Sequence, residues 1–90
     1  MSLYLDFSDQ AIDDIAYHKK SGNKAILKKL FILLDEIADH PFTGTGKPEA
    51  LKHNFSRKWS RRINQEHRLV NEVFDSYVTI HSLKDHYYNT

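Results

Sequence analysis

Several residue types are scarce in this chain of 90 residues, which has no cysteine, three glycines and two prolines. The lack of cysteine excludes a disulfide framework, a thiolate nucleophile and a cysteine-ligated zinc site, and it suits a reducing cytosol. No uninterrupted apolar stretch approaches the roughly 20 residues that a membrane-spanning helix needs, and no basic segment followed by an apolar run begins the chain. We therefore expect a cytoplasmic protein with no membrane partner.

Basic residues are concentrated between Gly44 and Arg68. This stretch holds seven of the thirteen Lys and Arg residues and only two of the twelve acidic ones. The remainder carries six basic and ten acidic residues, so the formal net charge of +1 is the sum of a cationic middle and an acidic rest. Such a layout gives one surface a positive field. A polyanion is the first ligand that we expect.

The apolar content is enough for one small core, since 40% of the residues are hydrophobic and 12% are aromatic. We therefore expect residues 1–90 to form a single domain. Near the N-terminus, Leu3–Phe7 alternates apolar and polar side chains with a period of two, which predicts a short strand.

Capping residues then delimit two predicted helices. Ser8 is placed to cap the first, and Gly22 ends it. Asn23 opens the second, which ends at His40 because a residue that precedes proline avoids helical geometry. The apolar residues of the second helix recur every three and four positions and predict a wide buried stripe: Ile26, Leu27, Leu30, Phe31, Leu33, Leu34, Ile37 and Ala38.

Beyond the loop Pro41–Pro48 the apolar period changes from 3.6 to two, which predicts three strands with close turns. Trp59, Arg61 and Ile63 share one side of the first strand, Leu69, Asn71 and Val73 one side of the second, and Val78 and Ile80 one side of the third. The order predicts an α+β fold: an N-terminal strand, two helices, then an antiparallel meander, with the helices packed on one face of the sheet.

Residues suited to RNA cleavage cluster in the second half of the chain. Attack of a ribose 2′-hydroxyl on its own phosphate needs a base, cations that stabilise the phosphorane, and an acid for the 5′-oxygen. Glu, Arg with Lys, and His supply these roles without a metal or other cofactor, and a tyrosine could stack on an unpaired base. The candidates are Glu49, Lys52, His53, Arg61, Arg62, Glu66, His67, Arg68, His81, His86 and Tyr87.

Two simpler interpretations compete with this one. Taken singly, an arginine on an edge strand is usually a solvated charge, and a lone histidine is usually an ordinary surface residue. The histidines could also bind a metal, but no HxxxH or HExxH pair falls on a predicted helix and no cysteine accompanies them, so we predict no metal site.

The segment GTGKPEALKHNFSRKWSRRINQEHRLV closely resembles the KGKPEPLKHNLSGxWSRRIxxEHRLVY segment of the Txe/YoeB toxins, within the RelE/ParE-like superfamily of bacterial toxin–antitoxin systems. The resemblance extends to the N-terminal strand and helices and to a terminal His–Tyr pair. It implies a RelE-like sheet and an mRNA interferase that cleaves mRNA in the ribosomal A site. It also implies an antitoxin partner of the YefM/Phd type.

The family's site residues map onto this chain by motif. The glutamate of the KPE motif is Glu49, the general base, and the terminal histidine is His86, the general acid. Arg68 stabilises the phosphorane and acts with Arg62 as a phosphate clamp. The resemblance assigns RNA binding also to Lys52 and Tyr87.

Other functions stay open at this point. A ParE-like toxin that acts on gyrase would share the fold but lack the acid–base set, and a plain RNA-binding module would use the basic strands only to hold phosphates. Both a monomer and a homodimer are compatible with the sequence. We expect an acidic antitoxin segment to fold over Lys52, Arg61, Arg62 and Arg68, with an affinity that falls as salt rises.

Overall fold

The structure is a computed structural model that describes residues 2–51 and 57–85. Strand β1 (Tyr4–Phe7) leads into helix α1 (Asp9–Ser21), and helix α2 (Lys24–Asp39) follows directly. The remaining elements are strands: β2 (Glu49–Ala50), β3 (Lys58–Arg62), β4 (Arg68–Val73) and β5 (Tyr77–Ser82). The α+β order predicted from the sequence is confirmed.

Both helices begin and end where the capping residues predict. The Ser8 side chain accepts a hydrogen bond from the amide of Ala11, and that of Asn23 accepts one from Ile26. Gly22 ends α1 in the left-handed conformation, and its amide donates to the carbonyl of Lys19. These bonds satisfy backbone groups that a helix end would otherwise leave without partners. Neither helix within the described ranges is long and apolar enough to cross a membrane.

The five strands form one mixed sheet in the order β1-β5-β4-β3-β2. The meander β3-β4-β5 is antiparallel, as predicted, whereas β1 pairs with β5 in parallel. Strand β2 was not predicted; its two residues pair with β3, Glu49 opposite Ser60 and Ala50 opposite Trp59. This short pairing adds Glu49 to the edge of the sheet.

The core lies between the helices and one face of the sheet. Apolar side chains of α2 and of the central strands are almost inaccessible there: Leu30, Leu33, Ile37, Leu69, Val78 and Ile80. Burying each such side chain contributes about 1.5–3 kcal/mol. Because side chains alternate along a strand, the face away from the helices presents Glu49, Ser60, Arg62 and Arg68.

The loop between α2 and β2 is fastened to β3 through Gly46, whose carbonyl accepts the amide of Arg62 at 2.8 Å. Gly46 has a φ of 86°, and a Cβ added there would lie 2.7 Å from the carbonyl oxygen of Arg62. Gly22 also has a positive φ, 74°, but a Cβ added there would have nothing within 4 Å. Comparing alanine at the two positions therefore separates the effect of left-handed backbone geometry from the effect of a collision with neighbouring backbone.

We expect Gly46→Ala to destabilise the protein more than Gly22→Ala, by at least about 1 kcal/mol. Left-handed geometry costs either alanine about 1–2 kcal/mol, and only the alanine at position 46 also collides with backbone. Urea denaturation of both variants measures the difference. Equal losses of stability would show that the loop does not need the close contact at Gly46.

Candidate functional site

Glu49 and Arg68 form an ion pair on the sheet face away from the helices. Their Oε1 and Nη2 atoms are 3.1 Å apart, and the Arg68 side chain is 15% exposed while that of Glu49 is 65% exposed. Arg68 also donates through Nε to the Oγ of Ser60 at 2.6 Å. The guanidinium is thus held from two sides, and the carboxylate stands open to solvent beside it.

The strand register explains why these side chains meet. Glu49 pairs with Ser60 across β2 and β3, and Arg62 pairs with Arg68 across β3 and β4. Paired residues of antiparallel strands point to the same face, so the carboxylate, the hydroxyl and both guanidinium groups share one surface. Arg62 is exposed. This surface offers a base next to two cations, which suits a phosphate that undergoes attack by a neighbouring hydroxyl.

Four of the candidate site residues, Lys52, His53, His86 and Tyr87, lie outside the described residues. The structure brings together Glu49, Arg62 and Arg68. His67 is buried. His81 contacts Glu72, which has the parity of Arg68 in β4 and so lies on the same face, and its Nε2 is 2.9 Å from the Glu72 carboxylate.

The prediction that Arg61 belongs to the exposed cationic surface is wrong. Its side chain is fully buried and lies on the helix side of the sheet, with Trp59. The guanidinium donates to the carbonyls of His40 and Thr43, both at 2.8 Å, and to that of Thr45 at 3.2 Å. The alternation of β3 indicates this burial, because Arg61 has the same parity as the apolar Trp59 and Ile63.

Glu36 of α2 completes this buried cluster. Its Oε1 lies 3.4 Å from Nη1 of Arg61 and accepts the amide of Thr45 at 2.6 Å, while its Oε2 accepts the Thr45 hydroxyl, also at 2.6 Å. The two Thr45 hydrogen bonds, helped by the charge of Arg61, lower the pKa of Glu36 below its ordinary value. Burial lowers the pKa of Arg61, and the charge of Glu36 opposes that shift.

The arrangement shows two further contributors that sequence reasoning missed. Ser60 orients Arg68, and Glu36 with Arg61 shapes the loop that leads into β2 and Glu49. Both depend on contacts between residues distant in the chain, for which local patterns carry no signal. Among the described residues, no group of three His, Cys, Asp or Glu side chains could hold a metal ion.

The sheet and its helices form a RelE-like α+β fold, and comparison with known proteins gives the family. Residues 7–87 match the model of the YoeB-like toxin of bacterial type II toxin–antitoxin systems. The chain belongs to this family.

Individual relatives agree with this assignment. Toxin YoeB of Escherichia coli K12 is 45% identical over 83 residues, which cover 92% of this chain and 98% of that protein. The structure of the YoeB dimer from Staphylococcus aureus is 43% identical with a TM-score of 0.85, covering 97% of this chain and 100% of that one. The YoeB-YefM complex from the same organism contains a chain that is 44% identical, with a TM-score of 0.80 and the same coverage.

We expect Arg61→Met to cost about 1–3 kcal/mol of stability, because it leaves three loop carbonyls without their hydrogen-bond donor. Arg62→Met is the matched control: it removes the adjacent, exposed arginine and should change stability by less than about 0.5 kcal/mol. Urea denaturation measures both. If the two variants lose the same stability, the buried cluster does not hold the loop.

The lowered pKa of Glu36 predicts an acid-sensitive contribution to stability. A carboxyl group whose pKa is lower in the folded state contributes fully to the stability of the protein above its unfolded pKa, about 4.3. This contribution is lost as the pH falls through the pKa of the folded state. The stability difference between wild type and Glu36→Gln should therefore narrow from about pH 6 toward about pH 3. Denaturation curves at several pH values measure it, with exposed Asp35→Asn as the control. A constant difference would contradict the role of the ionised carboxylate.

Proposed function

We propose that this protein is an mRNA interferase, an endoribonuclease that cleaves mRNA in the ribosomal A site. The observation that carries the proposal is the 3.1 Å pair of Glu49 and Arg68 on the open face, beside exposed Arg62. Membership of the YoeB-like toxin family supports the same activity. A phosphate that contacts Arg68 would lie within reach of the Glu49 carboxylate, as the reaction requires.

In the proposed mechanism, Glu49 removes the proton of the ribose 2′-hydroxyl. The 2′-oxygen forms a bond to phosphorus, and the bond between phosphorus and the 5′-oxygen breaks. Arg68 and Arg62 stabilise the charge of the phosphorane, and His86 donates a proton to the departing 5′-oxygen. Lys52 binds the RNA backbone, and Tyr87 stacks on a base. The products are a 2′,3′-cyclic phosphate and a 5′-hydroxyl.

The ion pair prepares Glu49 and Arg68 for these roles. The pair places the Glu49 carboxylate 3.1 Å from the guanidinium that binds the phosphate in this mechanism. Ser60 holds Arg68 through Nε, so the remaining guanidinium nitrogens are free to turn from the carboxylate to a phosphate without moving the arginine away. When RNA enters the site in this mechanism, its phosphate thus replaces the Glu49 carboxylate as the anion bound to Arg68.

We also propose that an antitoxin of the YefM type neutralises this protein. The Staphylococcus aureus relative forms a YoeB-YefM complex, and a second structure describes that complex as heterotetrameric. In this chain an acidic antitoxin segment would cover Arg62 and Arg68, while buried Arg61 takes no part. By the same comparison, the free toxin forms a homodimer, as the Staphylococcus aureus protein does.

Glu49→Gln should lower the single-turnover rate of mRNA cleavage on programmed ribosomes by about 10²–10⁴-fold, since positioned proton transfer typically contributes that much. Binding to the ribosome should change little, because glutamine keeps the size of the side chain. Rapid-quench cleavage assays and a separate binding assay distinguish the two effects.

Asp35→Asn is the matched control, since it also neutralises one carboxylate but lies at an exposed position of α2, and it should cleave like wild type. If Glu49→Gln cleaves at the wild-type rate, Glu49 is not the base, and Glu66 is the next carboxylate to test.

A single 2′-deoxy substitution at the scissile nucleotide should abolish cleavage, because the nucleophile is the 2′-hydroxyl of the substrate. Mass spectrometry of the products from unmodified mRNA should find a 2′,3′-cyclic phosphate or a 3′-phosphate, with or without a chelator that leaves the ribosomes intact. Products that end in a 3′-hydroxyl, or cleavage of the deoxy substrate, would refute the mechanism.

A further inference from the structure

Residues 83–85, which follow β5 and directly precede His86, are bound by side chains from elsewhere in the fold; we call them the anchor segment. Asp14 accepts the amide of Leu83 through Oδ2 at 2.9 Å, and Nε2 of His18 lies 2.8 Å from the carbonyl oxygen of Leu83. Nδ1 of His67 accepts the amide of Asp85 at 2.8 Å. Three polar side chains thus hold the backbone of a three-residue segment.

All three side chains are buried, so loss of these hydrogen bonds would destabilise the fold. Asp14 is 3% exposed, His18 is 0% exposed and His67 is 5% exposed. A buried carboxylate or imidazole destabilises a fold unless hydrogen bonds replace its water. Here each side chain makes its bond to the anchor segment, so the cluster is built around that segment.

The partners also assign a hydrogen-bonding role to one ring nitrogen of each histidine. The Asp85 amide can only donate, so Nδ1 of His67 carries no proton, and its Nε2–H lies 4.0 Å from the carboxylate of Glu66. The Leu83 carbonyl can only accept, so Nε2 of His18 carries a proton. The rings themselves are in edge-to-face contact, with centroids 4.9 Å apart. The role of one nitrogen in each ring is therefore set by the anchor segment.

The anchor segment also touches the strand that carries Arg68. The Asp85 carbonyl accepts the backbone amide of Arg68 at 3.0 Å. Asp85 directly precedes His86 in the sequence, and this hydrogen bond holds its backbone beside that of Arg68. Asp85 has a φ of 63°, a left-handed geometry that non-glycine residues keep when their surroundings hold them.

We propose that His67, together with Asp14 and His18, is a positioning residue for the C-terminal acid: it fixes the backbone from which His86 departs and so aligns that histidine with Arg68. This inference rests on the proposed function, in which His86 protonates the leaving oxygen. His67 acts through the Asp85 amide and does not touch the reacting atoms. A displacement of about 1 Å in a catalytic group can cost on the order of 10²-fold in rate.

Two near-isosteric substitutions separate this role from simple packing. Asparagine can place an amide oxygen where Nδ1 of His67 lies, whereas leucine has a similar shape and no acceptor. We expect His67→Leu to lose roughly 10- to 100-fold in single-turnover cleavage with ribosome binding unchanged, and His67→Asn to recover most of that loss. Amide exchange of Asp85, followed by NMR in the full-length toxin, should be slow in wild type and His67→Asn and fast in His67→Leu.

Equal cleavage rates for the leucine and asparagine variants, or an Asp85 amide that exchanges equally in both, would overturn the positioning role. If His67→Leu does not fold, the same comparison is made at His18 with glutamine, which can donate to Leu83 from the Nε2 position, and methionine, which cannot. Methionine should then lose cleavage and glutamine retain it, and equal rates would again overturn the proposal. A wild-type protein that cleaves no mRNA refutes the proposed function, while the exchange measurement still decides whether His67 holds Asp85.

Discussion

The buried guanidinium of Arg61 is the constraint on which the placement of Glu49 depends. It joins three loop carbonyls and the carboxylate of Glu36, so that α2, the loop after it and β3 meet at one charged centre. A buried charge is expensive unless its hydrogen bonds are satisfied, and most of the donors of Arg61 are used by backbone that has no regular structure of its own. The hydrogen bonds from Arg61 to its carbonyls thus hold the loop in one conformation.

The site then depends on two supports, the loop after α2 and the side chain of Ser60 in β3. The loop leads into β2, which sets Glu49 opposite Ser60, and Ser60 in turn holds Arg68. Rigid support matters because proton transfer and charge stabilisation depend on groups that are already in place when the substrate arrives. Glu49 and Arg62, which meet RNA in the proposed mechanism, are exposed, while the supporting Ser60 and Arg61 are buried.

Much of the fold was predictable because its signals are local. Ser8, Gly22, Asn23 and His40 delimit both helices through caps that involve residues at most four positions apart. The strand alternation gave β3, β4 and β5, but two residues were too few to indicate β2. The parallel pairing of β1 with β5 joins distant parts of the chain, so no local pattern encodes it.

The site was predictable in its chemistry and less so in its architecture. The motif assigned Glu49, Arg62 and Arg68, and the structure places these three on one face. The charge of Arg61 predicts the same surface, but its parity with Trp59 and Ile63 in β3 corresponds to the buried side where it lies. The roles of Lys52, His86 and Tyr87 stay predictions. Asp14 and His18 gave no signal, since their bonds to Leu83 close only in the folded chain.

The most direct test of this account is a double-mutant cycle between Arg61→Lys and Glu49→Gln, read as single-turnover cleavage at a temperature where every variant is folded. Lysine keeps the charge of Arg61 but cannot bind the loop carbonyls as a fork. If Arg61 acts by placing Glu49, the double variant should cleave no more slowly than Glu49→Gln alone, because the positioned base is already gone. Losses that multiply in the double variant would show that the two residues act independently and would contradict the account.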